Sequence, residues 1–308
     1  MIYQRILITG ANGLLGQQLV QLLSQYPEYD VLATGRQSSS VLRSGSFGYA
    51  TLDITSYADV QHLFLDFAPT VVVNCAAMTQ VDQCEVEKKA CWEINVNAVE
   101  HLCRASRRVG TRLIQVSTDF VFDGANGPYR ETDRPAPINF YGRSKLAAEN
   151  VIRASSLKRW AIARTVLLYG TGEKLKRQNV VLWALNHLTQ GKPIQVVNDQ
   201  WRTPTYAPDL AHGIERIIRT ERTGLYHISG REFLSVYEFI QRVASFFDLD
   251  TNLISPADSS TIHPIAPRPP RTGFVIEKAE TELDYHPHTI ETALADMSQR
   301  LDVPDFSL

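Results

Sequence analysis

Thr9-Gly10-Ala11-Asn12-Gly13-Leu14-Leu15-Gly16 follows the apolar run 5–8 and passes directly into a segment with helical apolar spacing, residues 14–23. Glycines let a chain turn sharply, and the N–H groups at a helix start carry partial positive charge. A strand, a turn of this kind and a helix therefore make a seat for a diphosphate. The spacing is GxxGxxG rather than GxGxxG, and three glycines alone are a weak signal. The position after the first strand of an alternating pattern gives the turn its meaning.

Working outward, further short apolar runs stand at 30–34, 49–52, 70–74, 112–117 and 160–165, with helix-length segments such as 60–67 and 94–109 between them. This alternation predicts an α/β fold, a Rossmann-like doubly wound parallel sheet with right-handed crossovers and helices on both faces. After Tyr169-Gly170 the pattern changes to a polar stretch, 171–179. Then come a helix over 180–188, a strand over 194–197, a helix over 208–219, a strand over 225–228 and a helix over 236–247. A Pro-rich segment, 263–270, leads to two C-terminal helical patterns. The expected organisation is a nucleotide-binding domain over 1–169, to which about 199–228 returns, and a smaller, discontinuous α/β substrate-binding region over 170–308.

Composition narrows the function classes. The 308 residues are 44% hydrophobic and 21% charged, near the globular average, so neither a disordered nor a fibrous chain is indicated. A net charge of −2 provides no global basic field and argues against nucleic acid as the main partner. Cys75, Cys84, Cys91 and Cys103 form no CxxC pair and read as reduced, structural thiols. Residues 1–5 lack the pattern of a secretory leader, and no stretch reaches the roughly 20 apolar residues that span a bilayer, so no membrane is expected and the location is read as cytoplasmic. His286 and His288 flank Pro287 with no further ligand at metal-site spacing, so no metal is expected.

At the end of the second run stands Gly35-Arg36-Gln37, where an enzyme using NAD usually has an acidic residue for the ribose hydroxyl. An arginine there pairs with a 2′-phosphate, which points to NADP with NAD as the alternative. Asp53, followed by Ile54, suits either an adenine amino group or the cap of a helix near Ser56. Cys75, Ala76 and Ala77 are small enough to let backbone approach a ribose and nicotinamide, and Cys75 reads as packing rather than as a nucleophile. Asn95 completes the expected cofactor contacts.

Tyr141 and Lys145 are spaced i, i+4 on a helical segment and share one face. An ammonium beside a phenol is expected to lower the phenol's pKa and prepare it for proton transfer to a carbonyl oxygen. The fifth run ends in Ser117-Thr118-Asp119, which brings the Thr118 hydroxyl to the carboxyl edge of the sheet, where ligands bind. Asp82 and Glu85 read as supporting or helix-start carboxylates, and Arg202, Arg268 and Arg271 as loop arginines able to clamp a diphosphate.

Together these residues resemble the extended short-chain dehydrogenase/reductase superfamily, with Thr118, Tyr141 and Lys145 in the places of its Ser/Thr-Tyr-Lys triad. A narrower likeness, to the dTDP-4-dehydrorhamnose reductase family, rests on four stretches. They are Asn74-Cys75-Ala76-Ala77-Met78-Thr79-Gln80-Val81-Asp82, Ser117-Thr118-Asp119-Phe120-Val121-Phe122-Asp123-Gly124, Tyr141-Gly142-Arg143-Ser144-Lys145-Leu146, and Asn198-Asp199-Gln200 with Pro204-Thr205.

That resemblance implies NADPH-linked reduction of a 4-keto-6-deoxy sugar carried on dTDP, in dTDP-L-rhamnose synthesis. It also implies a nucleotide-sugar partner, a homodimer, and substrate contacts from Thr118, Asp119, Leu167, Tyr169, Arg202 and Arg268. A related 4,6-dehydratase would have Glu where this chain has Phe120, and fucose-synthase-like enzymes use a Cys and a His that are missing around 118–121. Two positions depart from the family pattern: Leu167 stands at the place of a Trp, and Arg202 at the place of a Gly. In these, and in Gly224-Leu225-Tyr226-His227-Ile228-Ser229-Gly230, the chain also looks like the regulatory beta subunit of methionine adenosyltransferase, a non-catalytic branch. That regulatory role is the alternative reading, followed by another NAD(P)-dependent sugar-nucleotide epimerase.

Overall fold

In the computed structural model, which describes residues 4–262 and 264–301, the first apolar run forms β1 (Gln4–Thr9). The first residues of the N-terminal stretch read above, and His263 at the head of the Pro-rich segment, lie outside the described residues. Ile6, Leu7 and Ile8 are all 0% exposed. Successive strand side chains point to opposite faces, so burial of all three requires cover on both sides. Ile6 and Ile8 pack with Leu15, Leu19 and Leu23 of α1 (Leu14–Leu23). Leu7 packs on the other face with Val60 and Phe64 of α2 (Tyr57–Phe67) and Leu102 of α5 (Ala98–Val109).

The remaining strands of this unit are β2 (Tyr29–Gly35), β3 (Gly48–Thr51), β4 (Val71–Asn74), β5 (Arg112–Thr118) and β6 (Trp160–Thr165). A seventh, β11 (Gly224–His227), comes from the later half of the chain. They form one sheet in the order β11-β6-β5-β4-β1-β2-β3, every pair parallel. Chain direction around the sheet reverses between β1 and β4, and a crevice opens at such a switch point beyond the carboxyl ends of the strands.

The expected single helix over 94–109 is broken. α3 (Val81–Val86) and α4 (Lys88–Trp92) lead into a π-helical turn, Glu93–Asn97, and only then into α5. The wider turn carries Asn95, whose Nδ2 donates to Met78 O at 3.0 Å and to Ser144 Oγ at 3.0 Å, while its Oδ1 accepts from Met78 N at 2.8 Å. Long-range polar bonds thus replace regular helix bonds at that point, a common use of a π turn.

The second hydrophobic cluster is built from β7 (Leu168–Tyr169), α7 (Val180–Leu188), β8 (Ile194–Val197), α9 (Val236–Phe246), β13 (Ile254–Ala257) and α12 (Ile290–Arg300). Of the stretch 199–228, β11 and α8 (Ala207–Arg219) belong to the first unit, Leu210 and Ile214 of α8 packing in the same cluster as Leu19 of α1. β9 (Trp201–Arg202) and β10 (Thr205–Tyr206) pair instead with β12 (Leu234–Ser235) and β7. α10 (Ser259–Ile262) and α11 (Glu277–Leu283) are two short helices of the later half of the chain.

α6 (Phe140–Ala154) is tied to the sheet by charge as well as by apolar packing. Glu149 and Arg164 of β6, 0% and 1% exposed, form a two-pronged pair, with Nε to Oε1 at 2.8 Å and Nη2 to Oε2 at 2.7 Å. Ser117 of β5 donates to Oε1 at 2.7 Å. Burial pushes the Glu149 carboxyl up, but the bonds from Arg164 and Ser117 outweigh it and hold the carboxyl below its ordinary value. Arg164→Met leaves Glu149 buried beside a partial set of donors. Urea unfolding is expected to show a loss of about 3–5 kcal/mol; a loss within about 0.5 kcal/mol would mean that the pair does not hold α6.

Candidate active site

A cleft of about 900 Å³ lies at the carboxyl ends of β1, β2, β3 and β4. Gly10, Asn12, Gly13 and Leu14 line it from the turn, Arg36 from the end of β2, Asp53 and Ile54 from after β3, and Cys75, Ala76 and Ala77 from after β4. Gly10 adopts φ +65°, and a Cβ there would stand 2.8 Å from the Ala76 amide, so the turn and the end of β4 meet only because that position is glycine. Gly13 is the N-cap of α1 without a side-chain cap, and the first turn holds no acidic residue. The free N–H groups of α1 thus face the cleft uncapped, a set of donors that fits a dinucleotide diphosphate. Leu15 and Gly16 lie behind this surface in the packing of α1 on β1.

Asn12 holds the segment after β2 that carries Arg36. Its Nδ2 donates to Gln37 Oε1 at 2.5 Å and Ser39 O at 3.2 Å, and its Oδ1 accepts from Val41 N at 3.0 Å. Of the two roles open to Asp53, the helix cap falls to Ser56, which accepts from Asp59 N at 3.3 Å. Asp53 accepts from Thr55 N at 3.0 Å and Thr55 Oγ1 at 2.8 Å while lining the cleft. Asn95, expected beside the cofactor, is buried and fully engaged with Met78 and Ser144. Burial pushes the Cys75 thiol up to about 12, so it is un-ionised at neutral pH.

Thr118 closes β5, and Tyr141 and Lys145 lie one helical turn apart on α6. The helix reaches Thr118 because Gly142 has no Cβ: one would overlap the carbonyl of Phe120, in the 3-10 turn Asp119–Val121. Asn139 caps α6, its Oδ1 accepting from Gly142 N at 2.8 Å. The Lys145 Nζ donates to Val116 O at 2.7 Å. The expectation that Lys145 lowers the Tyr141 pKa is corrected here: burial, reinforced by the Asp119 charge, raises the phenol above its ordinary value, and the hydrogen bond with Thr118 opposes this only in part. A buried group favours its neutral form, so Tyr141 is a protonated donor throughout the neutral range.

Thr118 Oγ1 donates to Asp119 Oδ1 at 3.0 Å and accepts from Phe120 N at 3.2 Å. Asp119 Oδ2 accepts from Thr272 Oγ1 at 2.5 Å and faces Arg202 Nε at 3.6 Å. Arg202 is therefore no solvated loop arginine; it is 3% exposed and also donates to the carbonyls of Trp201 and Pro270 at 2.8 and 3.1 Å. Arg268 is likewise committed, pairing with Asp82 through both terminal nitrogens at 2.5 and 2.9 Å. Tyr169 packs between Tyr206 and Phe239 in the second cluster, and Leu167, at φ +37°, packs against both clusters. None of the residues from Thr118 to Arg268 named as substrate contacts lines the cleft at the ends of β1 to β4.

The sequence reading passed over Glu149, Arg164 and the charged side chains of 171–179. The i, i+4 continuation from Lys145 to Glu149 was the available signal for the first. Among the described residues no three or more His, Cys, Asp or Glu gather as a metal site, and no helix is long and apolar enough to cross a membrane. His286 bonds Asp284, and His288 bonds Asp209.

An open cleft over an uncapped helix start at the switch point of a parallel sheet, with Thr118 ending β5 and Tyr141 and Lys145 on α6, is the arrangement of the extended short-chain dehydrogenase/reductase class. Residues 4–303 match the family described as RmlD substrate binding domain, and the chain belongs to that family. It is 33% identical to dTDP-4-dehydrorhamnose reductase of Aggregatibacter actinomycetemcomitans over 94% of this chain and 97% of that protein. It is also 32% identical to methionine adenosyltransferase 2 subunit beta of Pongo abelii, over 90% of this chain and 82% of that one. A crystal structure of dTDP-4-dehydrorhamnose reductase from Bacillus anthracis in complex with NADP shares the fold with a TM-score of 0.85 at 32% identity, covering 97% of this chain and 99% of that chain.

Burial lowers the Lys145 pKa to about 8, against the pull of the Glu149 carboxylate in the other direction. Carbon-detected NMR of lysine side chains in the ligand-free protein is expected to find one Lys titrating near 8 and absent from Lys145→Met, and Glu149→Gln is expected to move it lower. Titration at the ordinary value of 10.5 would contradict the buried environment.

Proposed function

We propose that the protein is an NADP-dependent reductase that converts the 4-keto group of a nucleotide-activated deoxy sugar to an alcohol, as dTDP-4-dehydrorhamnose reductase does. The observation that carries this reading is the meeting of Thr118, Tyr141 and Lys145 at the sheet edge beside a cleft suited to a dinucleotide diphosphate. Bound NADPH supplies the hydride. Tyr141 gives its phenolic proton to the carbonyl oxygen as that oxygen gains charge, and Thr118 steers the oxygen toward the phenol. Lys145, charged below about 8, holds the cofactor ribose next to Tyr141.

The second cluster, entered through β7 and α7, supplies the substrate side of the site. Thr118 and Asp119 are its polar floor, and Leu167, Tyr169, Arg202 and Arg268 shape it from positions where they are packed or paired. The location we propose is the cytoplasm, where nucleotide-linked sugars are made. A regulatory role like that of methionine adenosyltransferase 2 subunit beta is the second reading. It is favoured by the identity to that protein and by Leu167 and Arg202 standing where reductases carry Trp and Gly.

Incubation with NADPH and dTDP-, GDP- and UDP-linked 4-keto sugars separates the two, with cofactor absorbance and product mass as readouts. Oxidation with a dTDP-linked keto sugar is expected, and Tyr141→Phe should lose about 10²–10⁴ of turnover while still binding cofactor. No oxidation with any keto sugar, together with tight binding to a methionine adenosyltransferase catalytic subunit, would establish the regulatory role instead.

Cofactor choice is read from Arg36, exposed at the cleft. Arg36→Ala is expected to weaken NADPH about tenfold and leave NADH nearly unchanged, because only NADPH presents a 2′-phosphate to the guanidinium. Equal losses for both cofactors in calorimetric titrations would remove Arg36 from that role.

A further inference from the structure

The polar segment 171–179 between β7 and α7 forms part of the wall of the same cleft as the phosphate turn, and it brings Lys174, Lys176 and Arg177 to that wall. All three side chains are exposed, and among the described residues none makes an ion pair. With Arg36 they set four cationic side chains along a cleft whose carboxylates are Asp53 and Glu87. The chain as a whole carries a net charge of −2, so this concentration of positive charge is local.

What holds the segment there is built into α1. Gln17, 0% exposed, accepts from Glu173 N at 2.7 Å and donates to Glu173 O at 2.9 Å. The same Nε2 donates to Asn12 O at 3.1 Å. Gln18 donates to Thr171 O at 2.9 Å. A buried amide costs free energy unless its bonds are made, and here each bond of Gln17 joins the backbone of the segment to the backbone of the phosphate turn. The backbone of 171–173 is thereby pinned to the start of α1, and the cationic side chains just beyond it remain unpaired at the cleft.

We infer that residues 173–178 form a second phosphate-binding element, in which Lys174, Lys176 and Arg177 engage the pyrophosphate of the bound dinucleotide from outside while the N-terminus of α1 holds it from beneath, with Gln17 as a positioning residue. The pyrophosphate is the target because Gln17 ties the segment to Asn12 and the helix start; the 2′-phosphate is met by Arg36 at the end of β2. This inference rests on the dinucleotide reading above.

The test uses the full chain and two probes, NADPH and NADH, titrated by calorimetry at low and at high salt. Replacing the three cations together, Lys174→Ala with Lys176→Ala and Arg177→Ala, is expected to weaken both dinucleotides roughly tenfold and to flatten the salt dependence of binding. Gln17→Met is expected to weaken both in the same proportion to each other, at an unchanged preference for NADPH. Because the three replaced side chains are exposed, the triple variant keeps its thermal midpoint, which is measured alongside. A loss confined to NADPH would move these cations to the 2′-phosphate and overturn the inference, as would binding of both within twofold of the unaltered protein. Failure of the unaltered protein to bind either dinucleotide would instead overturn the reading on which the inference rests.

Discussion

The buried pair of Glu149 and Arg164 is the constraint on which the placing of Thr118, Tyr141 and Lys145 depends. It ties α6 to β6 and, through Ser117, to β5, the strand that ends in Thr118. Lys145 and Tyr141 lie one and two turns toward the N-terminus of the same helix, so the register of α6 against the sheet sets where both functional groups stand. Two charges with water excluded tolerate little displacement, because a buried charge that loses part of its pairing keeps the cost of its burial; Arg153 adds only a half-exposed contact to Glu149 Oε2 at 3.0 Å. Gly142 and Asn139 then settle the other end of the helix, where close approach to Phe120 brings Tyr141 beside Thr118.

Around this frame the site divides by charge. The cleft side has an uncapped helix start and cationic side chains, with little acidic charge. The other side is a closed polar network, Thr118 to Asp119 to Thr272 and Arg202, in which burial pushes the Asp119 carboxyl up and Arg202 pulls it back. Tyr141 sits between the two, neutral because burial raises its pKa, with the Asp119 charge adding to the same effect. Arg202, buried at 3% exposure, sets its guanidinium 3.6 Å from the Asp119 carboxylate that Thr118 also bonds.

The strands of the first unit and the glycine turn after β1 were legible because their signals are local. Strand burial on both faces requires unbroken apolar runs, and a turn that approaches backbone requires glycine, so 5–8, 70–74 and Gly10 read correctly without any tertiary information. The helix over 94–109 was misread because its apolar spacing continues through the π turn; what breaks it is the bonding of Asn95 to Met78 and Ser144, far off in sequence. Arg202 and Arg268 were taken for open loop residues because a loop's composition does not say which carboxylate folds onto it.

By itself, then, the sequence determined the alternation of strands and helices, the glycine turn that opens α1, and the placing of Tyr141 and Lys145 on one helix face, since each depends on residues within a few turns of one another. Only the tertiary structure decided the protonation behaviour of that pair, the commitment of Asn95, Arg202 and Arg268 to protein partners, and the place of Lys174, Lys176 and Arg177 on the wall of the cleft. The physical reason is that burial and charge pairing act between segments far apart in the chain, 186 residues in the bond from Arg268 to Asp82, and such terms are set by packing rather than by local pattern.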